Sequence, residues 1–171
     1  MTPEAVGPLL RPVDVTKLPP QGTTIVVEAT AEECAALAKD FKLPAIHALK
    51  AEYRLTTSAK GVRVAGRVKA TVTQTCVVTL DDFDSDLDEE VEVSFAEPSG
   101  MPAEPPTEMR DYEPPDEIVN GQIDLGALTA EFLALGLDPY PRKPDADFRY
   151  DTLRDPADSP FAALDKLKRD G

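Results

Sequence analysis

The chain has 171 residues, 42% of them apolar, and 17 prolines, which is enough for one self-sufficient core and too little for two. Proline at about twice its usual ~5% implies that part of the chain is irregular. The formal charge of -14 repels a polyanion over most of the surface, which argues against indiscriminate nucleic-acid binding and favours a basic partner or plain solubility.

The opening MTPEAVGPLLRP has neither a basic n-region nor a long apolar stretch, and no later run approaches ~18 apolar residues. A cytoplasmic chain with no membrane contact is expected, in one domain over 1–171. Residues 23–29, TTIVVEA, read as a strand. Thr30 and Glu33 have the spacing of a capping box and open a helix over 31–40, which ends before Pro44. Leu49, Ala51, Tyr53 and Leu55 then alternate with Lys50, Glu52, Arg54 and Thr56, the period of a half-buried strand over 46–57. After a turn at 58–61 the alternation runs on through Val62, Val64, Gly66, Val68, Ala70, Val72, Cys76, Val78 and Leu80, a strand over 61–80 that Gly66 is expected to bend. A further strand over 83–95 sets Phe83, Leu87, Val91, Val93 and Phe95 against Asp84, Asp86, Asp88, Glu90 and Glu92.

Turn positions predict how these strands pair. A turn across Ala59 and Lys60 sets Leu55 against Val64 and Ala51 against Val68. A tight turn at Asp81 and Asp82 sets Leu80 against Phe83, Cys76 against Leu87, Val72 against Val91 and Val68 against Phe95. Residues 97–115, EPSGMPAEPPTEMRDYEPP, read as a disordered acidic loop. Ile123 staples and Asp124 caps a helix over 124–137, with Leu125, Leu128, Phe132 and Leu135 on its buried face. Pro139 ends it, and Pro141 and Pro144 keep the following arm extended. Ser159 and Pro160 open a last helix over 159–168. The fold class expected is α+β, an antiparallel meander packed against helices.

Charge follows this order closely. Between Lys39 and Lys69 there are eight Lys/Arg and two acids, whereas between Ala70 and Glu131 there are 17 Asp/Glu and only Arg110. The expected sheet is therefore electrically bipolar. Lys50, Arg54, Arg63, Arg67 and Lys69 form a basic end, and Asp84, Asp86, Asp88, Glu90 and Glu92 recur every ~6.6 Å at the other with no cation opposite. That acidic stripe is either a solvated edge that blocks strand aggregation or a docking face for a basic partner.

Catalytic chemistry finds little to work with. His47 is the only histidine, no glycine-rich phosphate loop or paired-histidine motif is present, and carboxylates are too many to single any out. Cys34 and Cys76 lie far apart with no recurrent spacing, so reduced thiols are expected, with Cys76 a small apolar residue of the core.

Two blocks, TQTCVVTLDDFDSDLDEEVEVSF at 73–95 and IDLGALTAEFLALGLDPYPRKPDADF at 123–148, resemble the YceD-like family, and the LDPYPRKP ending is similar to its alphaproteobacterial members. The resemblance implies a non-catalytic factor supporting accumulation of the large-subunit (23S) ribosomal RNA and ribosome assembly. Many members carry Cys-x-x-Cys in the first block and a further cysteine after the second. Here the pair is Cys76 and Thr79 and no cysteine follows, so neither a metal nor a cofactor is expected. In one version Lys50, Arg54, Arg63, Arg67, Lys69, Tyr140, Arg142 and Lys143 contact precursor RNA, the arginines on phosphate and Tyr140 on an unpaired base. In the other, the stripe Asp84 to Glu92 shields a basic ribosomal protein. Oligomeric state is open.

Overall fold

The computed structural model describes residues 7–100 and 114–147. The expected helix 159–168 and positions 101–113 of the expected loop lie outside these residues. At the centre, β2 (Thr23–Glu28), β3 (Ala45–Ser58), β4 (Gly61–Thr75) and β5 (Asp82–Ala96) form an antiparallel meander. The short β6 (Asp116–Glu117) runs parallel beside the end of β5. A separate ribbon pairs β1 (Pro12–Asp14) with β7 (Gln122–Asp124), and the helices are α1 (Ala31–Asp40) and α2 (Leu125–Gly136). This is the α+β meander that alternation predicts. The β1–β7 ribbon and β6 are too short to give a periodic signal.

Alternation decides which face is which. Leu49, Ala51, Tyr53, Leu55, Val64, Val68, Val72, Leu87 and Val91 are buried and join Leu37 of α1 and Leu125, Leu128 and Leu133 of α2 in one core. Both helices therefore cover the same side of the sheet, and the charged side is left bare among the described residues. Helix α1 begins with the capping box: Glu33 N donates to Thr30 Oγ1 (3.2 Å) and Thr30 N donates to Glu33 Oε2 (2.8 Å).

Arg11 adds a fork onto the same carboxylate, with its two terminal nitrogens 2.8 and 2.9 Å from Glu33 Oε1 and Oε2. The guanidinium first, and the Thr30 N–H second, pull the Glu33 carboxyl down to about 2. A depressed carboxyl stabilises the fold above its unfolded value near 4.5, and that contribution disappears as pH falls toward 2. Solvent screening of a side chain that is 21% exposed limits the effect. Glu33→Gln is expected to cost about 1 kcal/mol near pH 7, with the gap to the native chain closing between about pH 5 and pH 2. Urea midpoints across that range measure it, and a gap of constant size would overturn the assignment.

The β3–β4 register is the one that the Ser58–Gly61 turn predicts: Leu55 opposes Val64 and Ala51 opposes Val68. The pairing of β4 with both neighbours continues past Gly66 without a shift of register. The irregularity lies in β3, at a bulge between Ile46 and Ala48.

The β4–β5 register differs from the expected one by six residues. Strand β4 stops at Thr75, and Cys76 to Asp81 form a loop in place of a tight turn, closed by Cys76 N to Asp81 O (2.8 Å) and Leu80 N to Cys76 O (2.9 Å). Val64 opposes Val93, Gly66 opposes Val91 and Ala70 opposes Leu87. A slip of six is even, so every side chain keeps its face and apolar matching cannot tell the two registers apart. Polar pairing does so. The observed register sets Arg67 against Glu90, Lys69 against Asp88, Thr71 against Asp86 and Thr73 against Asp84. In the expected one Lys69 would have met Ser94 and Arg67 would have met Ala96.

Helix α2 starts at the predicted cap. Asp124 Oδ1 accepts from Gly126 N (2.9 Å) and Ala127 N (3.1 Å), and also from Arg11 N (2.8 Å), which ties β1 to the helix start. Its buried face differs from the predicted one at the far end. Leu125, Leu128, Thr129 and Leu133 are buried, whereas Leu135 is 71% exposed. At ~100° per residue, Leu135 lies about 80° from Leu125 on the side away from Thr129 and Leu133.

Candidate partner-binding face

The bare side of the sheet is a grid of charged and hydroxyl groups whose rows are set by register. Glu28, Lys50, Lys69 and Asp88 form one row across β2 to β5, and Val26, Glu52, Arg67 and Glu90 form the next. Ion pairs run within and between rows of this face: Lys69 to Asp88 (3.7 Å) and Lys50 to Glu28 (3.9 Å) within the first, Arg67 to Asp88 (3.2 Å) between the two, and Arg63 to Glu92 (2.5 Å) beyond them. Arg54 donates to the carbonyl of Gln21 (2.8 Å). The expected basic end is thus corrected. Its cations stand among carboxylates of β2, β3 and β5, and Asp88, Glu90 and Glu92 do have cations opposite or beside them.

Farther along the same two strands the pattern changes. Thr71, Thr73 and Thr75 donate their hydroxyls to Asp86 (2.7 Å), Asp84 (2.5 Å) and Asp82 (2.7 Å). Neutral donors hold these three carboxylates in line without cancelling their charge. The Asp84 carboxyl is lowered from its ordinary value, chiefly by the Thr73 hydroxyl and then by His47. His47 sits at the β3 bulge, with Nε2 2.7 Å from Thr73 Oγ1 and 3.4 Å from Asp84 Oδ1. The sheet is therefore polarised between a charge-balanced half and an acidic half. The period-2 threonines and aspartates are visible in sequence, but their pairing depends on the length of the loop between them.

The arm after α2 attaches at the acidic end, on the helix-covered side. Gln74 Nε2 donates to Asp138 O (3.2 Å), Val77 N donates to Pro141 O (2.9 Å), and Lys143 Nζ lies 3.5 Å from Asp81 Oδ2. Tyr140 is 72% exposed, and Arg142 is exposed. Seven residues separate Lys69 from Cys76, some 23 Å of strand. Tyr140, Arg142 and Lys143 thus lie at the loop end of the sheet, whereas Arg54 and Arg63 lie toward the Ser58–Gly61 turn.

Where the arm crosses the loop, Cys76 is fully buried. Its thiol is lowered to about 7, first by the Thr79 hydroxyl and then, against the effect of burial, by the backbone N–H groups of Lys143, Thr79 and Val78. Cys34 behaves oppositely, raised by burial in α1. Both thiols are free. The groups around Cys76 are donors, the opposite of what a cation's coordination shell requires, and no cluster of three metal-ligating side chains occurs among the described residues. The donor set does not fit zinc.

Between the arm and β5 runs an open groove of about 280 Å³, walled by Ser85 to Glu89 on one side and by Gly136 to Asp138, Pro141 and Arg142 on the other. No helix among the described residues is long and apolar enough to cross a membrane. A family model described as "Large ribosomal RNA subunit accumulation protein YceD" matches residues 64–168, which take in most of β4 and all of β5, α2 and the arm. No curated protein and no solved structure matches the chain.

Proposed function

This chain belongs to the YceD family of large ribosomal RNA subunit accumulation proteins, and we propose that it supports that accumulation without catalysis, by holding a basic protein component of the assembling subunit. The carrying observation is the row Asp82, Asp84 and Asp86, ordered by threonines and unopposed by any cation on β4. Across the bare face Lys50, Arg54, Arg63, Arg67 and Lys69 are outnumbered by Glu28, Glu52, Asp82, Asp84, Asp86, Asp88, Glu90 and Glu92. Exposed pairs such as Arg63 with Glu92 are weak enough to exchange for phosphate, but the surrounding field would still repel a polyanion. This favours the escort reading over direct RNA contact.

Two measurements separate them. Tagged protein is expected to retain basic large-subunit proteins and to co-sediment with large-subunit precursors. Filter binding to a bare precursor RNA fragment is expected to be weak at low salt and unchanged by Arg63→Ala with Arg67→Ala. RNA affinity that falls steeply with salt and is lost in that double variant would place the function on phosphate contact instead.

A further inference from the structure

Among the described residues, strand β5 has a long free edge. Its partner on one side is β4 throughout, but on the other side β6 covers only Phe95 and Ala96. From Asp82 to Ser94, every second residue directs an N–H and a C=O away from the sheet with no strand to receive them among the described residues. The same stretch carries the acids of the bare face, and the groove beside the arm wraps this edge at Ser85 to Glu89. The exposed apolar side chains Val77, Leu80, Leu135 and Tyr140 belong to the loop, the last turn of α2 and the arm, all at this end of the sheet. We propose that the edge of β5 is a docking site for an extended basic polypeptide segment, which adds to the sheet as a further strand.

The chemistry of the partner follows from the edge. An added strand lies ~4.8 Å from β5, so its outward side chains at alternate positions stand beside Asp84, Asp86 and Asp88. Lysine or arginine at every second residue meets that row, while main-chain hydrogen bonds supply affinity independent of side chains. Arg142, on the far wall of the groove, makes no ion pair among the described residues and is placed to donate to carbonyls of the incoming strand. The threonine contacts hold Asp82, Asp84 and Asp86 in line before anything binds, which lowers the ordering cost of association.

The inference rests on the escort reading and specifies its binding mode. The probe is a fluorescein-labelled Lys-Thr repeat of eight residues, compared by anisotropy with the same peptide N-methylated at every amide. The unmodified peptide is expected to bind at least about tenfold more tightly, to slow hydrogen exchange at alternate amides between Asp82 and Glu92, and to bind severalfold more weakly to Asp84→Asn with Asp86→Asn. Equal affinity of the two peptides, no binding by either, or protection elsewhere than β5 overturns strand addition, while capture of a basic ribosomal protein would still stand. Edge binding by the peptide without any such capture overturns the escort reading alone. Self-association of the chain that the peptide does not reverse assigns the edge to a second copy and also overturns the proposal.

Discussion

Replacing Gly66 by alanine is expected to lower stability by about 3 kcal/mol, the upper end of the range for overpacking a well-filled interior. Gly66 sits in mid-β4, paired with Tyr53 on one side and Val91 on the other. A Cβ at this position would stand 2.0 Å from the Glu52 carbonyl oxygen and 2.9 Å from Tyr53 Cα. Both are backbone atoms of β3, so no rotamer change relieves the contact and the strands must separate. For a chain of this size the loss corresponds to a fall of about 6–12 °C in thermal midpoint. Ala65→Gly, one residue away on the bare face, removes a side chain without adding one and controls for glycine's effect on the strand. Circular dichroism melts decide: a shift under about 2 °C for Gly66→Ala would mean that β3 accommodates the methyl.

Tyr53→Ala is expected to cost about 4 kcal/mol, as for other large buried aromatics. Tyr53 has no exposed surface, and burial pushes its phenol up to about 12. Its hydroxyl is 2.8 Å from Thr129 Oγ1, which in turn donates to the Leu125 carbonyl at 2.6 Å. That fixes the order of donation: the threonine hydrogen goes to Leu125, so the tyrosine donates to the threonine. Tyr53→Phe removes the donor and leaves Thr129 satisfied through Leu125, for a loss of about 1 kcal/mol. Thr129→Val strands a buried phenol without an acceptor and costs about 2 kcal/mol. Combining Tyr53→Phe with Thr129→Val should then cost less than the sum of the two, and a strictly additive double variant in urea titrations would rule out the shared bond. The pair joins mid-sheet to α2, so its loss also loosens the helix that carries the arm.

The two hairpins show why some of the fold is readable in sequence. At Ser58 to Gly61 a short turn leaves one register, and the alternation of β3 and β4 around it is enough to find Leu55 against Val64. Between β4 and β5 the alternation runs on into Cys76, Val78 and Leu80, although these belong to a loop held by Pro141 and Asp81. Local periodicity cannot register a contact with an arm more than sixty positions away. The resulting slip of six preserved every face and therefore passed the apolar test. It also moved the carboxylates of β5 against the cations of β4, which turned an expected basic patch into a balanced one. Leu135 is a smaller instance: ~100° steps place it near the apolar stripe, and only the centre of the α2 contact with the sheet excludes it.

What this sequence determines by itself is whatever short-range chemistry dictates. The Thr30 and Asp124 caps, the bounds of α1 and α2, the side of the sheet that is buried and the overall acidity all rest on residues within a few positions of one another. Family membership also reads directly from the blocks at 73–95 and 123–148. Tertiary structure alone decides which charges meet, because opposition across strands depends on a loop length set by distant contacts. It alone attaches the arm to the Cys76 loop and separates Tyr140 from Arg63, and among the described residues it leaves the β5 edge without a partner strand along Asp82 to Ser94. Each is a relation between segments far apart in the chain, and periodicity within a segment carries no information about it.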